Sequence, residues 1–297
     1  MVRVLSAGHV NWDVTLRLDE LPEPDGEARI RSQSSGGGGS AANTAVALSS
    51  LGVGVGVIGS VGDDENGPLV RHELDEQGVN LTGLRVVEGR TTTVKYLLIA
   101  ADGSVAVLGN DGCNEAVAPE DVDADRLDGV EHLHLTSQRP ETARRLAELA
   151  RAGDATVSFD PGRRLPNRDF SAALGLADLV FCNDREASVV AELEADLRED
   201  CTAVVKRGSE GASALTPDGT VHHEGFGVDP VDTSGAGDAF AAGFLTVWLD
   251  GGALERCLAV GNACGALAAE QPGARTAPTQ AAIDALLDGE SSPETDR

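Results

Sequence analysis

Short apolar runs alternate with amphipathic segments along most of this 297-residue chain. Residues 2–7 and 55–61 are apolar runs of a length typical of strands buried on both faces. Residues 41–51 carry small apolar side chains at helical spacing, and the segment ends at Gly52. The same patterns predict helices at 68–77, 141–152, 239–249 and 254–268 and strands at 156–159, 179–182 and 203–206. This alternation predicts an α/β fold with a mainly parallel central sheet flanked by helices.

Two segments break the alternation and predict a small β-sheet lid. Residues 14–34 mix short apolar stretches with a Pro-Asp-Gly turn, and residues 93–108 form a hairpin pattern with Asp102-Gly103 at its turn. We expect one domain over residues 1–288, with lid segments at about 12–35 and 90–110, and a disordered tail over residues 289–297. Because an open small sheet leaves its edge strands exposed, we also expect a homodimer that forms through the lid.

The charge balance excludes some partners. The chain has 23 basic and 49 acidic residues, which gives a net charge of −26. Nucleic acid and anionic membrane surfaces are therefore not expected as partners, since both require clustered basic residues. The basic residues include only two lysines, Lys95 and Lys206, and aromatic residues make up 3%. This composition predicts a halophilic protein that works at molar salt, where screening removes most of the self-repulsion. The alternative is an acidic protein of a mesophile.

The cysteines and the hydropathy profile suggest neither a disulfide framework nor a membrane anchor. The five cysteines are widely spaced and include no C-x-x-C pair, so a zinc site is not predicted either. The first residues resemble a strand rather than a signal peptide, and no window approaches the ~18 apolar residues that span a bilayer. We therefore predict a cytoplasmic location.

The strongest chemical motif is VDTSGAGDAF, which runs from Val231 to Phe240. A loop of small residues leads directly into an amphipathic helix, so backbone N–H groups can converge at the positive end of the helix. This arrangement favours an anion and suits phosphate. Asp238 would repel phosphate unless it has a role, and a base that deprotonates an attacking hydroxyl fits. The alternative is that Asp238 only caps the helix.

A second motif, GGGGSAAN, runs from Gly36 to Asn43. Four glycines in a row indicate either a flexible turn or a backbone that passes close to a ligand. Asn43 could donate to and accept from a polyol, or could cap the next helix. By contrast, the G-x-G-x-x-G pattern from Gly54 to Gly59 lies inside a predicted strand and follows a helix, so it does not predict a dinucleotide site.

Together the two motifs resemble those of the ribokinase, or PfkB, family of carbohydrate and nucleoside kinases. Similar segments occur along residues 2–287: GHVNWD, VGDDENG, FDPGRR, NDRE, VVKRGSEGA and QPGA. The resemblance implies a ribokinase-like fold and a phosphotransferase that uses ATP and Mg²⁺. It implies that Asp238 is the catalytic base and that the anion hole is formed by Gly235, Ala236 and Gly237. It also implies that the substrate hydroxyls are bound by Asn11, Asp13, Gly38, Gly39, Ser40 and Asn43.

The resemblance further implies a nucleotide site and two ion sites. The nucleotide-binding positions are Asn183, Lys206, Gly208, Ser209, Gly211 and Asn262. Glu186 matches the position that holds Mg²⁺ through water. A monovalent-cation site, for which K⁺ is the candidate, is implied at Asp232, Ser234 and Gly273.

The substrate is the least determined part of the prediction. Ribokinases usually carry Lys where this chain has Ser40, and residues 136–138 contain no carboxylate, so ribose itself is not favoured. Related sugar-acid kinases bind the substrate carboxylate with an arginine, which here would be Arg164, with Tyr96 as a partner; surface ion pairing of Arg163 and Arg164 is the alternative. The favoured prediction is a kinase acting on a sugar or sugar acid. A nucleoside kinase is the alternative, although few aromatic residues are available to stack on a base, and a catalytically inactive binding protein ranks third.

Overall fold

The computed structural model describes residues 1–110, 112–192 and 197–290, which form two β-sheets and a set of helices. Numbered along the chain, the strands are β1 (Val4–Ala7), β2 (Asn11–Leu18), β3 (Ile30–Gly38), β4 (Val55–Gly62), β5 (Leu84–Val87), β6 (Val94–Ile99), β7 (Val105–Gly109), β8 (His132–Leu135), β9 (Thr156–Phe159), β10 (Leu179–Asn183), β11 (Thr202–Lys206), β12 (Ala212–Thr216) and β13 (Gly219–His223). The α-helices are α1 (Ser40–Ser50), α2 (Asn66–Glu76), α3 (Pro140–Ala152), α4 (Ser171–Leu174), α5 (Asp184–Glu192), α6 (Ala236–Trp248), α7 (Leu254–Ala269) and α8 (Gln280–Glu290).

The larger sheet has the strand order β13-β12-β11-β10-β9-β8-β1-β4-β5. Every pairing from β11 to β5 is parallel, and the hairpin β12–β13 adds an antiparallel edge. The predicted mainly parallel sheet flanked by helices is therefore confirmed. The carboxyl ends of parallel strands meet at one edge, which is where ligands bind in open α/β sheets.

Helix α6 is anchored by a largely apolar core on one face of this sheet. The Phe181 ring on β10 packs edge-on against Phe244 and Phe240 of α6, at centroid distances of 5.4 and 6.4 Å. All three rings are buried, together with most of α1 and α7. Because the rings fix the rotation of α6, its first turn is held at the carboxyl edge of the sheet.

The smaller sheet, which we call the lid, has the strand order β3-β2-β6-β7 and confirms the predicted lid. Asp102-Gly103 forms the predicted turn between β6 and β7, with Gly103 at a φ of 84°. Several large apolar side chains of the lid are exposed, namely Ile30, Tyr96, Val105, Val107 and Leu108. The expectation of a dimer through this surface stays a prediction.

The remaining sequence expectations concern the chain end and membranes. Helix α8 continues to Glu290, and the rest of the predicted tail, residues 291–297, lies outside the described residues. Within the described residues, no helix is both long and apolar enough to cross a membrane.

Two fully buried histidines on β8 form a polar chain inside the sheet. His132 lies 2.8 Å from the Thr156 hydroxyl and 2.7 Å from that of Ser158, and His134 lies 2.7 Å from the same Ser158 hydroxyl. Burial lowers the pKa of His132 to about 3 and the pKa of His134 to about 4. Both rings are therefore neutral in the folded protein at neutral pH.

These histidines predict a loss of stability in acid. Below their ordinary pKa of about 6.5 the unfolded chain binds protons that the folded protein cannot bind. The free energy of unfolding therefore keeps its full contribution from these histidines above that pH. It falls by up to about 1.4 kcal/mol per pH unit for each histidine as the pH approaches their pKa values in the folded protein. We expect His134→Asn to reduce the slope of unfolding free energy against pH between 7 and 5, measured by urea titration. His72→Asn on the exposed face of α2 is the control, and equal slopes in both variants would contradict the prediction.

Candidate active site

The first turn of α6 lies at the end of the loop that contains the predicted anion hole. Gly235 precedes the helix in the left-handed conformation, with φ 77°, and a Cβ there would collide with the Ala274 carbonyl. Glycine is therefore required at this position. The amides of the first turn, which include Gly237, lack intrahelical acceptors, and the helix dipole adds partial positive charge. This site can hold an oxyanion.

Asp238 lies in that first turn and is bound by a side chain from the second motif. Asn43 Nδ2 donates a 2.8 Å hydrogen bond to Asp238 Oδ2, although the two residues are 195 positions apart. Burial raises the pKa of Asp238 to about 6, which the Asn43 hydrogen bond and the charges of Lys206 and Lys95 partly oppose. The helix is capped by Gly235 rather than by Asp238. Asp238 therefore has the position and the pKa expected of a general base near neutral pH.

Lys206 extends from the end of β11 to the same anion hole. Its Nζ lies 2.5 Å from Asp160 Oδ2, and a Cβ built on Gly237 would lie 3.3 Å from that Nζ. Burial acts to lower the pKa of Lys206, but Asp160, Asp238 and Glu186 raise it above its ordinary value. Lys206 is thus a largely buried ammonium that stays charged at neutral pH, beside the helix N-terminus. It was predicted only as the start of the nucleotide loop.

The glycine run of the second motif passes close to other groups of the chain itself, and its predicted approach to a ligand stays a prediction. A Cβ on Gly38 would collide with the Asp13 carboxylate, and a Cβ on Gly39, which has φ 92°, would collide with the His9 carbonyl. Ser40 follows directly as the first residue of α1 and is half-buried. Burial raises the pKa of Asp13 above its usual range, although Lys95 and Arg275 oppose this shift.

Unpaired buried polar atoms concentrate at the predicted substrate residues. Asn11 Nδ2, Asp13 Oδ1 and Asn43 Oδ1 are buried and have no hydrogen-bond partner within the described part of the chain. Each such atom costs about 1–3 kcal/mol in a folded protein. Atoms of this kind are retained where a ligand satisfies them. All three belong to residues predicted to bind hydroxyls, and their role in binding a polyol stays a prediction.

The lid places Lys95, rather than Tyr96, opposite these residues. Asp13 on β2 pairs in register with Lys95 on β6, and paired residues share a face of the sheet. Tyr96 is the next residue along the strand, so it lies on the opposite face, where it is 42% exposed. Tyr96 therefore lies away from Asp13, and its predicted partnership with the substrate stays a prediction. The residue that sequence reasoning missed is Lys95.

Arg164 lies in a short turn after β9 and is engaged by a carboxylate of the chain itself. Its Nη1 donates a 2.7 Å hydrogen bond to Glu115, which also binds Arg168.

Arg275, another residue missed from the sequence, is buried and donates to Glu73 and to the Gly38 carbonyl at 3.0 Å each. A cavity of about 380 Å³ is lined by Asp13, Gly37, Asp232 and Arg275, among other residues.

The predicted nucleotide and ion residues surround the same edge of the sheet. Glu186 Oε2 accepts a 3.0 Å hydrogen bond from the backbone N–H of Asn183, and burial raises the pKa of this glutamate. Asn262 on α7 is buried, and its Nδ2 has no partner among the described residues. The loop after β11 carries the remaining three nucleotide positions, Gly208, Ser209 and Gly211.

Asp232 brings the three candidate potassium residues together. Its Oδ1 accepts from the Ser234 amide at 2.9 Å, and its Oδ2 accepts from the Gly273 amide at 3.1 Å. Within the described residues, no group of three or more His, Cys, Asp or Glu side chains forms a metal cluster. Any divalent ion would therefore need ligands beyond these side chains.

Comparison with known proteins identifies the class. A model of the "pfkB family carbohydrate kinase" matches residues 1–281. Together with the fold, this match defines a kinase that acts on small molecules. The chain belongs to the PfkB family of carbohydrate kinases, as its two motifs predicted.

Individual relatives cover nearly the whole chain. An ATP-dependent ribose-1-phosphate kinase of Halopiger xanaduensis is 58% identical over 291 residues, which are 97% of this chain and 98% of that protein. A nucleoside kinase of Methanothermobacter thermautotrophicus is 29% identical over 282 residues, covering 92% and 91%. The solved structure of Arabidopsis thaliana ribokinase with ribose and ATP matches with a TM-score of 0.87 and 22% identity, covering 97% of this chain and 99% of that one. The last match shows the fold.

Proposed function

We propose that this protein transfers the γ-phosphoryl group of ATP to a hydroxyl of ribose 1-phosphate. The observation that carries the proposal is the hydrogen-bonded pair of Asp238 and Asn43 at the start of α6, together with the unpaired buried polar atoms of Asn11 and Asp13. The whole-length similarity to a ribose-1-phosphate kinase supports the choice of substrate. This substrate is a sugar phosphate, whereas the sequence alone suggested a sugar or a sugar acid.

The proposed reaction begins with binding of the sugar. Asn11, Asp13 and Asn43 bind its hydroxyls, and the backbone of Gly38 and Gly39 lies against the ring. Asp238 then accepts the proton of the attacking hydroxyl, and the oxygen of that hydroxyl forms a bond to the γ-phosphorus. The bond between that phosphorus and the β–γ bridging oxygen breaks, and ADP leaves with the bond electrons. Catalysis is mainly positioning and charge stabilisation, as expected for phosphoryl transfer.

The transferring group is stabilised by the backbone of the α6 loop. In this proposal the N–H groups of Gly235, Ala236 and Gly237 stabilise the negative charge that accumulates on the transferring group. The Ala236 N–H donates to the Thr233 carbonyl at 3.3 Å in this structure, so it would have to exchange that acceptor for phosphate. Lys206 adds a full positive charge beside Gly237. The lid strands β2 and β6 carry Asp13 and Lys95 over the site, and their closure would exclude water that would otherwise hydrolyse ATP.

The proposed nucleotide site is formed by Asn262 and the loop containing Gly208, Ser209 and Gly211. The unpaired Nδ2 of Asn262 fits a heterocyclic acceptor such as adenine. Glu186 and Asn183 fit Mg²⁺ held through water and phosphate oxygens, because Mg²⁺ usually needs only one or two carboxylates. When bound, Mg²⁺ neutralises phosphate charge.

The proposal also includes a potassium site at Asp232, Ser234 and Gly273. The Asp232 carboxylate supplies charge, and backbone carbonyls of its loop supply further oxygens of the kind that binds hard cations. Because Asp232 bridges this loop to Gly273, an ion there would stiffen the entry to the anion hole.

A coupled assay of ADP release tests the proposed function. Ribose 1-phosphate, ribose, a 2-keto-3-deoxy sugar acid and two nucleosides are compared at the same concentrations of KCl and Mg²⁺. We expect the highest kcat/KM with ribose 1-phosphate. A higher value with a nucleoside would favour the nucleoside-kinase alternative, and absence of turnover with every acceptor would favour an inactive binding protein.

A further inference from the structure

Two arginines and a histidine surround one half-buried carboxylate next to the proposed sugar site. Glu115 Oε1 accepts hydrogen bonds from Arg164 Nη1 at 2.7 Å and from Arg168 Nη1 at 2.8 Å, and it lies 3.1 Å from His9 Nε2. Its other oxygen accepts from Arg168 Nη2 at 3.2 Å. We call these four residues the Glu115 cluster. Two arginines meet one acid here, in a chain whose acids outnumber its basic residues by 49 to 23.

The backbone that delivers Glu115 to the cluster is strained. Glu115 has a φ of 65°, in the left-handed region that is costly for residues with a side chain. Burial acts to raise the pKa of Glu115, but His9, Arg168 and Arg164 lower it to about 2. The carboxylate is therefore ionised, and its partners hold it in an unfavourable conformation.

The Glu115 cluster adjoins the residues that bind the sugar. The neighbouring Asn114 donates to Asn11 Oδ1 at 2.5 Å, and the His9 carbonyl lies against Gly39. Arg168 also donates to the Gln138 carbonyl at 2.9 Å. A continuous series of contacts thus leads from Asp238 through Asn43 and the glycine run to the cluster.

The charge of Lys95 acts on groups at both ends of this series. Its ammonium is close enough to influence the pKa of Asp13, of Asp238 and of His9. Arg164 influences the pKa of His9 at the cluster end. One end of the site therefore carries a base and an anion hole, and the other end carries two arginines, a histidine and a nearby lysine.

The geometry points to the Glu115 cluster as the subsite for the phosphate already present on the substrate. The Glu115 carboxylate pairs with the two arginines when no substrate is bound, and the substrate phosphate replaces it. This inference rests on the proposed function, since ribose 1-phosphate presents a hydroxyl at one end and a phosphate at the other. Planar arginines bind phosphate in two-point contacts, and a dianion attracts them more strongly than one carboxylate does. Displacing Glu115 would also release its strained backbone.

The test compares substrate preference in matched variants. We expect Arg168→Gln to lower the ratio of kcat/KM for ribose 1-phosphate to kcat/KM for ribose by about 10–100-fold, the loss expected for charge-assisted hydrogen bonds. Arg144→Gln, which removes an exposed arginine paired with Glu148 on α3, is the control and should keep the wild-type ratio. An unchanged ratio in Arg168→Gln would overturn the subsite.

A second variant separates the proposal from a purely structural ion cluster. Glu115→Gln removes the competing carboxylate, so we expect ribose 1-phosphate to bind several-fold more tightly, as measured by calorimetry without ATP. A structural cluster would instead weaken binding in both Glu115→Gln and Arg168→Gln. Thermal unfolding of each variant identifies any that do not fold.

The calorimetry also distinguishes failure of the subsite from failure of the proposed function. If ribose 1-phosphate binds in an arginine-dependent way but is not phosphorylated, the subsite stands and the proposed function is wrong. If ribose 1-phosphate is phosphorylated, but Arg168→Gln does not change the ratio of its kcat/KM to that of ribose, the function stands and the subsite is wrong. If it neither binds nor reacts, both are wrong.

Discussion

Asp238→Asn is expected to lower kcat by about 10²–10⁴-fold, which is the usual contribution of a positioned general base. The amide has nearly the same shape and can still face Asn43, but it cannot accept the proton of the substrate hydroxyl. Folding and the KM for ATP should change little, because the anion hole is formed by backbone groups. Steady-state kinetics and thermal unfolding measure these quantities, and an unchanged kcat would remove Asp238 from the mechanism.

The pH profile gives this prediction a second readout. Burial raises the pKa of Asp238 to about 6, so the carboxylate is protonated, and inactive as a base, below that pH. In the wild type, log kcat/KM should therefore fall with a slope of about one below pH 6. Asp238→Asn should lose this acid limb. Glu255→Gln, at an exposed acid in the first turn of α7, is the matched control and should keep both the rate and the limb.

The parts of the site that lie close together in sequence were predictable from it. The loop into α6 places Gly235, Gly237 and Asp238 within one helical turn, so local geometry determines their arrangement. The glycine run was also informative, because such a sequence is costly unless the backbone passes close to another group. The alternation of apolar runs with amphipathic segments also predicted the parallel sheet. The strand and helix periodicities on which that prediction rests can each be read from a short stretch of sequence.

The parts that depend on pairing over long distances were not predictable. Whether Lys95 or Tyr96 faces the site depends on the register between β2 and β6, and a shift of one residue would exchange them. The rarity of lysine was the one signal in the sequence, since both lysines lie in the site. Glu115 meets its arginine partners 49 and 53 residues away, and no motif encodes such a contact.

Strand β8 was missed for a related reason. Its sequence, HLHL, alternates apolar and polar residues like a half-exposed strand, yet all four side chains are buried. His132 and His134 are accommodated because Ser158 and Thr156 on β9 satisfy their ring nitrogens. The sequence predicts the polarity of a residue, whereas its burial depends on partners that only the fold provides.

Lys206→Met is expected to lower kcat by about 10²–10³-fold, comparable to the loss of one oxyanion-stabilising group. The Lys206 ammonium lies beside Gly237, where charge accumulates on the transferring group, so its removal should raise the barrier more than it weakens ground-state binding. It should also cost about 3–5 kcal/mol of stability, because Asp160 would be left without its cation. Kinetics and urea unfolding measure the two effects separately.

The pair with Asp160 allows these two effects to be separated. Lys206→Met combined with Asp160→Asn removes both charges, so stability should recover most of the loss while kcat stays low. Asp160→Asn alone keeps the ammonium near the anion hole, so its kcat should exceed that of Lys206→Met by at least tenfold, about 1.4 kcal/mol in barrier height. If the double variant instead regains kcat in step with stability, Lys206 serves the fold rather than the reaction. In that case the charge balance at the phosphoryl group would rest on the backbone amides of α6 and on the proposed Mg²⁺.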